Sequence, residues 1–234
     1  MSVTAPYPVT AATGLPETRL PDSLIARLPS SVAAAPWHTR CRVVTWLHTV
    51  DETALDALPA EIRPAGVSMV AWALVRYSDT PVGPYDEVAA TLLPGDGSAH
   101  GHIPFIVVDS LPSVVGGRAN WLLPKALASF DWDGDENAVT IGAGQPATPA
   151  WTIRVAFEAA GDATTISLAN HVQQVSTDGA VRRFSGTMSG TMRPASVTVD
   201  GHADGPLSAL LVPGRHNGTM LTDCTFDCAG LDPV

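Results

Sequence analysis

Short runs of β-branched and aromatic residues, separated by segments containing glycine, proline or aspartate, recur along the whole chain and most constrain its fold. Nine runs are long enough to form strands. They occupy residues 41–50, 67–77, 85–93, 103–108, 126–132, 151–158, 164–175, 181–192 and 217–228. The short connections imply antiparallel pairing. We therefore expect a mostly β (α+β) fold, a large antiparallel β-barrel with a few short helices.

One helix is predicted with clear signals at both ends. Ser110 is suited to cap a helix over residues 111–121, and Pro112 lies in its first turn, where a missing N–H costs nothing. Pro124 then prevents the helix from continuing. This segment is expected to interrupt the strands as an ordered α-helix.

A second helix and an N-terminal arm complete the predicted organisation. Thr49 and Glu52 have the spacing of a capping box before a helix over residues 53–58. Residues 1–36 are rich in proline, alanine, serine and threonine, which favours an arm lying on the barrel or on a partner subunit. Residues 37–234 are expected to form a single barrel domain.

The composition excludes several classes of function. A net charge of −10 argues against nucleic-acid binding, which requires a basic surface. The sequence has no apolar stretch of the length that spans a bilayer, and its start lacks the features of a signal peptide. We expect a cytoplasmic protein with a small-molecule partner and no contact with a membrane.

Neither the cysteines nor the histidines indicate a metal site. The cysteines are Cys41, Cys224 and Cys228. An odd number without a Cys-x-x-Cys motif favours buried thiols over a disulfide framework or a zinc site. The histidines considered are His100, His102 and His171. They lack the close pairing with a carboxylate that metal sites show, so no metal and no cofactor are expected.

Lys125 is the only lysine of the 234 residues, and its neighbours in sequence are apolar. These neighbours are Trp121, Leu122, Leu123, Leu127 and Phe130. Burial penalises the ammonium form, so desolvation is expected to lower the pKa of Lys125 and make the amine a nucleophile. The alternative is a lysine whose stem packs while its charged end reaches water.

The segment that contains Lys125 resembles a known family. Residues 116–125, Gly-Gly-Arg-Ala-Asn-Trp-Leu-Leu-Pro-Lys, are similar to the Gly-Arg…Pro-Lys segment of acetoacetate decarboxylases. Residues 83–88, Gly-Pro-Tyr-Asp-Glu-Val, resemble the family's Tyr-x-Glu strand, and Arg40 resembles its substrate-binding arginine. Residues 210–226 resemble its final strand. The chain is identified as a member of the acetoacetate decarboxylase-like superfamily over residues 37–228.

The resemblance implies roles for individual residues. Lys125 would form a Schiff base with a ketone, Glu87 would transfer protons beside it, and Arg40 would hold a substrate carboxylate. Arg42 lies on the same face as Arg40 and remains an alternative. Strand alternation alone favours an outward-facing Glu87, away from any site. Further substrate contacts are expected from Tyr85, Trp72, Trp121 and Arg118. Arg118 has a second interpretation, in which it only anchors the helix before the lysine.

Two departures from the family pattern bear on the reaction. Ala126 stands where acetoacetate decarboxylases have a second lysine, so the activating effect of an adjacent cation is absent. Trp72, or another apolar residue of the same strand, stands in place of an acidic residue near the substrate. A bulkier or more apolar substrate than acetoacetate follows from this change.

Three functions remain open at this point. The first is a Schiff-base-forming lyase that acts on a small β-keto or α-keto acid, by decarboxylation or by aldol and dehydration chemistry. The second is a non-catalytic small-molecule-binding member of the same superfamily. The third is a structural or assembly role, suggested by the arm and by the family's oligomeric habit, and a homo-oligomer is expected.

Overall fold

A computed structural model describes residues 7–50, 55–56, 67–94, 100–143 and 150–232. Ten strands lie within these ranges. They are β1 (Trp37–Thr49), β2 (Val67–Asp79), β3 (Tyr85–Pro94), β4 (His102–Val108), β5 (Lys125–Trp132), β6 (Ala138–Ala143), β7 (Trp151–Ala159), β8 (Thr164–Val175), β9 (Val181–Ala203) and β10 (Gly214–Cys228). The α-helices are α1 (Asp22–Ile25) and α2 (Leu111–Trp121), and 3-10 turns occupy Val9–Ala11, Pro16–Thr18 and Pro206–Ala209.

All ten strands belong to one sheet, in the order β10-β1-β2-β3-β4-β5-β6-β7-β9-β8. A further pairing of β10 with β9 closes this sheet into a barrel, and β8 extends it beside β9. Neighbouring strands run antiparallel, except that β4 and β5 are parallel. The chain crosses from β4 to β5 through α2, as a parallel pair requires. The predicted fold class is confirmed.

The longest strand, β9, changes partner along its length. Its first part pairs with β8 as far as Met192, and its last part pairs with β7 from Ala195 onward. Pro194 lies between these two pairs, where its missing N–H breaks neither ladder. The predicted end of this strand at residue 192 was therefore wrong, because the proline marks a change of partner and not a turn.

The other boundaries differ from the prediction in informative ways. Strand β6 was not predicted, because Ala138–Ala143 is short and rich in small residues, and it forms by pairing with β5 and β7. Strand β1 starts at Trp37, four residues before the predicted start at Cys41. The helix predicted over residues 53–58 lies outside the described residues, apart from Leu55 and Asp56.

Strand alternation sorts the interior side chains into separate clusters. On one face of the sheet, buried apolar residues pack around stacked Trp46 and Trp72, whose ring centroids are 5.6 Å apart. We call this group the tryptophan core. On the other face, Tyr77 and Tyr85 face each other across β2 and β3, with ring centroids 4.5 Å apart. This second face contains the only lysine.

The N-terminal arm lies against the barrel where the structure describes it. The backbone N–H of Leu15 donates to the Pro104 carbonyl at 2.9 Å, and the Leu15 side chain is fully buried. The carboxylate of Glu17 accepts from the Leu207 N–H at 3.0 Å. Among the helices of the described ranges, none has the length and apolar character needed to cross a bilayer.

Candidate active site around Lys125

Helix α2 and the turn after it determine where Lys125 lies. The helix begins as predicted, with the Ser110 hydroxyl accepting from the Ser113 N–H at 3.4 Å. It ends at Leu122, which has a φ of 59°, and the N–H of Leu123 then donates to the Gly117 carbonyl at 3.1 Å. A left-handed residue after the last turn is a common C-terminal capping motif, here formed without glycine. The motif turns the chain so that Lys125 begins β5.

A glycine of α2 makes room for the lysine side chain. A Cβ placed on Gly117 would lie less than 3.0 Å from Cγ, Cδ and Cε of Lys125. The preceding Gly116 has the same relation to the ring of Trp37. The Gly-Gly pair therefore lets the helix approach the lysine on one side and a tryptophan on the other.

The lysine ammonium group is buried among polar partners. Only 4% of Lys125 is exposed. Its Nζ donates to Oε2 of Glu87 at 2.6 Å, to Oγ of Ser113 at 3.1 Å and to the hydroxyl of Tyr85 at 3.4 Å. Three donor positions thus meet three acceptors, as an ammonium group requires. The lysine neither extends into water nor lacks partners.

The register of β2 and β3 brings the carboxylate of Glu87 to this point. Glu87 is paired with Val75 on β2 and with Val108 on β4, and it shares its face with Tyr85. The hydroxyl of Tyr77 donates to Oε1 of Glu87 at 3.4 Å, so both carboxylate oxygens have a donor. Glu87 faces the interior, and the surface position favoured by alternation alone is excluded.

The pKa of Lys125 does not shift in the direction expected from its sequence neighbours. Burial lowers this pKa, but the negative charge of Glu87, with a smaller effect from Tyr85, outweighs burial and leaves the pKa above its ordinary value. Burial also raises the pKa of Tyr85 to about 12. The expectation of a neutral amine produced by desolvation alone is therefore wrong. Lys125 and Glu87 form a buried ion pair.

Arg118 holds the lysine segment through its backbone. Its Nε donates to the carbonyl of Lys125 at 2.6 Å, while its terminal nitrogens donate to the carbonyls of Val9 at 2.9 Å and Thr18 at 2.6 Å. Burial lowers the pKa of Arg118 to about 10. These contacts favour the interpretation in which Arg118 only anchors the chain around the lysine, because each of the three guanidinium nitrogens donates to a backbone carbonyl.

A cleft of about 640 Å³ shares Tyr77 with the surroundings of the buried pair, although Lys125 and Glu87 do not line it. Tyr77 lines this cleft and also donates to Glu87, so a single side chain connects the cleft to the ion pair. Arg40 and Arg42 line it as well. The guanidinium of Arg40 is exposed and makes no hydrogen bond or ion pair with any residue that the structure describes. Arg42 is half-buried and donates to the Glu136 carbonyl at 3.0 Å.

The comparison with known families decides the classification. The family model of acetoacetate decarboxylase (ADC) matches residues 25–222 of the chain. The chain belongs to the acetoacetate decarboxylase family. No curated protein matches it.

Solved structures of acetoacetate decarboxylases share the fold of this family member. One is 16% identical, with a TM-score of 0.58, and the match covers 92% of this chain and 98% of the other. The enzyme from Legionella pneumophila is 14% identical, with a TM-score of 0.56 and coverages of 88% and 91%. The enduracididine biosynthesis enzyme MppR, solved with pyruvate, is 15% identical, with a TM-score of 0.54 and coverages of 86% and 90%.

Two aromatic residues expected in the site of an acetoacetate decarboxylase lie elsewhere. Trp72 belongs to the tryptophan core on the opposite face of β2, and its indole N–H donates to the Leu210 carbonyl at 3.2 Å. The face that carries Tyr77 holds Ala73 instead. Trp121 packs edge-on against Trp37 and donates to a backbone carbonyl, and no hydrogen bond or ring contact joins it to the lysine within the described ranges. The structure thus corrects the expectation for Trp72, while the role of Trp121 as a substrate contact stays a prediction.

Ala126 also faces away from the lysine. It is buried in the tryptophan core, whereas Lys125 points to the other side of β5, because successive strand residues alternate. The additional lysine of acetoacetate decarboxylases, placed at this position with the same backbone, would not lie beside Nζ of Lys125. The loss of that lysine is therefore not a loss of a direct neighbour in this fold.

Sequence analysis missed two polar residues of the site. Ser113 contacts the amine and Tyr77 contacts Glu87. Ser113 had a usable signal, since it lies one helical turn before Gly117 and so shares its face. Tyr77 had none, because its position depends on the register of two strands. Across the described ranges, no three His, Cys, Asp or Glu side chains are grouped as metal ligands.

Proposed function

We propose that this chain is a Schiff-base-forming lyase that acts on a small β-keto or α-keto acid. The observation that carries the proposal is the buried hydrogen bond of 2.6 Å between Nζ of Lys125 and Oε2 of Glu87. A lysine and a carboxylate at this distance can exchange a proton without a change in the net charge of the site. The family membership supports the same class of enzyme.

The first step follows from the charged resting pair. Glu87 accepts a proton from Lys125, which yields a neutral amine beside a neutral carboxylic acid. The amine attacks the carbonyl carbon of the substrate, and the resulting carbinolamine loses water to give an iminium. Glu87 is placed to return its proton to the departing hydroxyl group. The proposed role of the pair is thus to produce the neutral amine by proton transfer to Glu87, so the lysine need not be neutral before the substrate binds.

The iminium nitrogen then accepts the electrons of the bond that breaks. In a β-keto acid this is the bond to the carboxylate, which leaves as carbon dioxide, and the enamine is protonated at carbon before water releases the ketone. In an α-keto acid the same iminium acidifies the neighbouring C–H bond, which opens aldol and dehydration chemistry. The hydroxyl of Tyr85 lies 3.4 Å from the amine and is a further group, besides the Glu87 carboxyl, that is available for proton transfer.

The unpartnered guanidinium of Arg40 is the proposed clamp for the substrate carboxylate. Arg42 is engaged with Glu136 and packs over Trp132 with its guanidinium carbon 5.6 Å from the ring centroid, so Arg40 is the more available cation of the cleft. A two-pronged contact with a carboxylate would hold the acid in the cleft. Tyr77 lines the cleft and contacts Glu87, so the proposed path of the substrate to the amine passes this side chain.

Borohydride trapping tests the proposal directly. The protein is incubated with pyruvate, acetoacetate and longer keto acids, reduced, and analysed by intact mass and peptide mapping. Because the chain has one lysine, a trapped adduct lies either on Lys125 or on the terminal amine. Lys125→Arg distinguishes them, since guanidinium does not form an imine. Absence of any adduct at Lys125 over the whole panel would refute the proposal.

A second candidate, a binding protein without turnover, is favoured by the ion pair itself. An amine held as ammonium reacts slowly. This candidate predicts reversible keto-acid binding without release of carbon dioxide and without dehydration. Product release that depends on Lys125 would exclude it.

A further inference from the structure

Cys41 and Cys224 lie directly opposite each other on neighbouring strands. They are paired positions of β1 and β10, which places their side chains on the same face of the sheet. Directly opposed residues of antiparallel strands have Cα atoms about 4.5 to 5.5 Å apart. A disulfide spans Cα separations of about 4.4 to 6.8 Å. The backbone therefore already brings these two cysteines within disulfide range.

The backbone beside this pair departs from a regular ladder. Between the pair at Cys224 and the next pair at Leu221, β10 contains one residue more than β1. The bulge includes Asp223, which has a φ of 50°. A bulge leaves an unpaired residue and bends the strand, so small adjustments of the Cys224 backbone do not break ladder hydrogen bonds.

The two cysteines lie in the wall of the cleft and are chemically unequal. Both cysteines line the cleft of about 640 Å³, although each is largely covered. The neighbouring Cys41 thiol lowers the pKa of Cys224, while the Cys224 thiol and burial raise that of Cys41. The thiolate is the reactive form, and Cys224, which lies beside the bulge of β10, is the proposed attacking sulfur with Cys41 as the second thiol.

Cys228 provides a contrast within the same strand. Burial raises its pKa to about 12, it is paired with Trp37, and it packs in an apolar cluster away from the cleft. Four residues separate it from Cys224 along an extended strand, about 13 Å at the usual rise of a strand, which is too far for a disulfide. Geometry thus selects one pair of the three cysteines.

We propose that Cys41 and Cys224 form a redox-active dithiol in the wall of the cleft, which closes to a disulfide by exchange with a low-molecular-weight disulfide such as oxidised glutathione. The Cys224 thiolate attacks one sulfur of the oxidant, forms a mixed disulfide and expels one thiolate. Cys41 then gives up its proton and attacks the Cys224 sulfur, which expels the second thiolate. Two protein thiols are oxidised and one disulfide is reduced to two thiols. This inference does not depend on chemistry at Lys125.

The test uses the reduced full-length protein with oxidised glutathione, followed by alkylation of the remaining thiols and intact mass. The expected product has lost two hydrogen atoms and takes up one alkyl group, where the reduced protein takes up three. Chymotrypsin cleaves after Phe226 and so separates Cys224 from Cys228, which allows peptide mapping to identify the bridge. The expected link joins Cys41 to Cys224.

Matched variants separate the native pair from general thiol oxidation. Cys228→Ser should still form the disulfide at an unchanged rate, whereas Cys41→Ser should stop at a glutathione adduct on Cys224. The wild-type map needs no variant and so stands even if a substitution impairs folding. A bridge that involves Cys228, or three free thiols after prolonged exposure to excess oxidised glutathione, would overturn the proposal.

Discussion

Replacing Glu87 by glutamine should reverse the pH dependence that Lys125 contributes to stability. In the wild-type protein the pKa of Lys125 is raised by its carboxylate partner. Its stabilising effect is therefore fully present below the unfolded-state pKa of about 10.4 and is lost as the pH rises through the higher folded-state value. Between pH 6 and 10 Lys125 therefore contributes no pH dependence to the free energy of unfolding of the wild-type protein.

In Glu87→Gln the burial of Lys125 remains while the largest opposing effect is gone. Burial lowers the pKa of such a lysine by roughly 3 units, which corresponds to about 4 kcal/mol at 1.36 kcal/mol per unit. The variant should then be least stable near pH 6. Its stability should increase by about 4 kcal/mol as the pH rises from about 7 to about 10, because the unfolded state binds the proton that the folded state releases.

The measurement is urea unfolding, followed by tryptophan fluorescence, at a series of pH values from 6 to 10. Glu136→Gln serves as the matched control, since Glu136 forms a half-exposed ion pair with Arg76 at 2.7 Å. Such surface pairs contribute at most about 1 kcal/mol. A Glu87→Gln curve that runs parallel to the wild-type curve would show that the carboxylate does not control the protonation of Lys125. As a second readout, the variant should form trapped imine at lower pH than wild type while losing turnover.

Three further predictions follow from the packing around the site. Gly117→Ala should destabilise the protein by about 1 to 3 kcal/mol through overpacking against the lysine, and it should reduce imine trapping. The control is Gly134→Ala, whose added Cβ meets no atom within 4 Å, and it should change neither stability nor trapping. Equal behaviour of the two variants in thermal melts and trapping would contradict this prediction. Ala126→Lys should lower the melting temperature, because it places a charge in the apolar core. It should leave the pH profile of imine formation at Lys125 unchanged. A profile that moves to lower pH would mean that the two amines are close to each other. Trp72→Phe should lower the free energy of unfolding in urea by about 1 kcal/mol through a lost hydrogen bond. It should not affect the Michaelis constant for a keto acid. A large change in that constant would show that Trp72 belongs to the site.

The secondary structure of the site was largely readable from sequence because its signals are local. The helix before the lysine was predicted at its true bounds from one serine and one proline, since caps act over three or four residues. Strand β6 and the second half of β9 were missed because they depend on pairing partners. Pro194 in particular has a meaning that only the change from β8 to β7 supplies.

The chemistry of the site was less accessible for the same reason. Burial of Lys125 was predicted correctly, yet the direction of its pKa shift was wrong, since that direction depends on a carboxylate 38 residues away. Family resemblance supplied Glu87. Trp72 was misassigned by a single position of strand alternation, which is enough to move a side chain to the opposite face of the sheet.

Arg118 connects three parts of the chain that are distant in sequence, because its guanidinium is shared by the carbonyls of Val9, Thr18 and Lys125. Trimming the first twenty residues would remove two of its three acceptors, directly behind the lysine backbone. The segment from Val9 to Thr18 consequently supports the backbone of the proposed nucleophile, and a protein that lacks it would be expected to lose alignment of the amine before it lost the barrel.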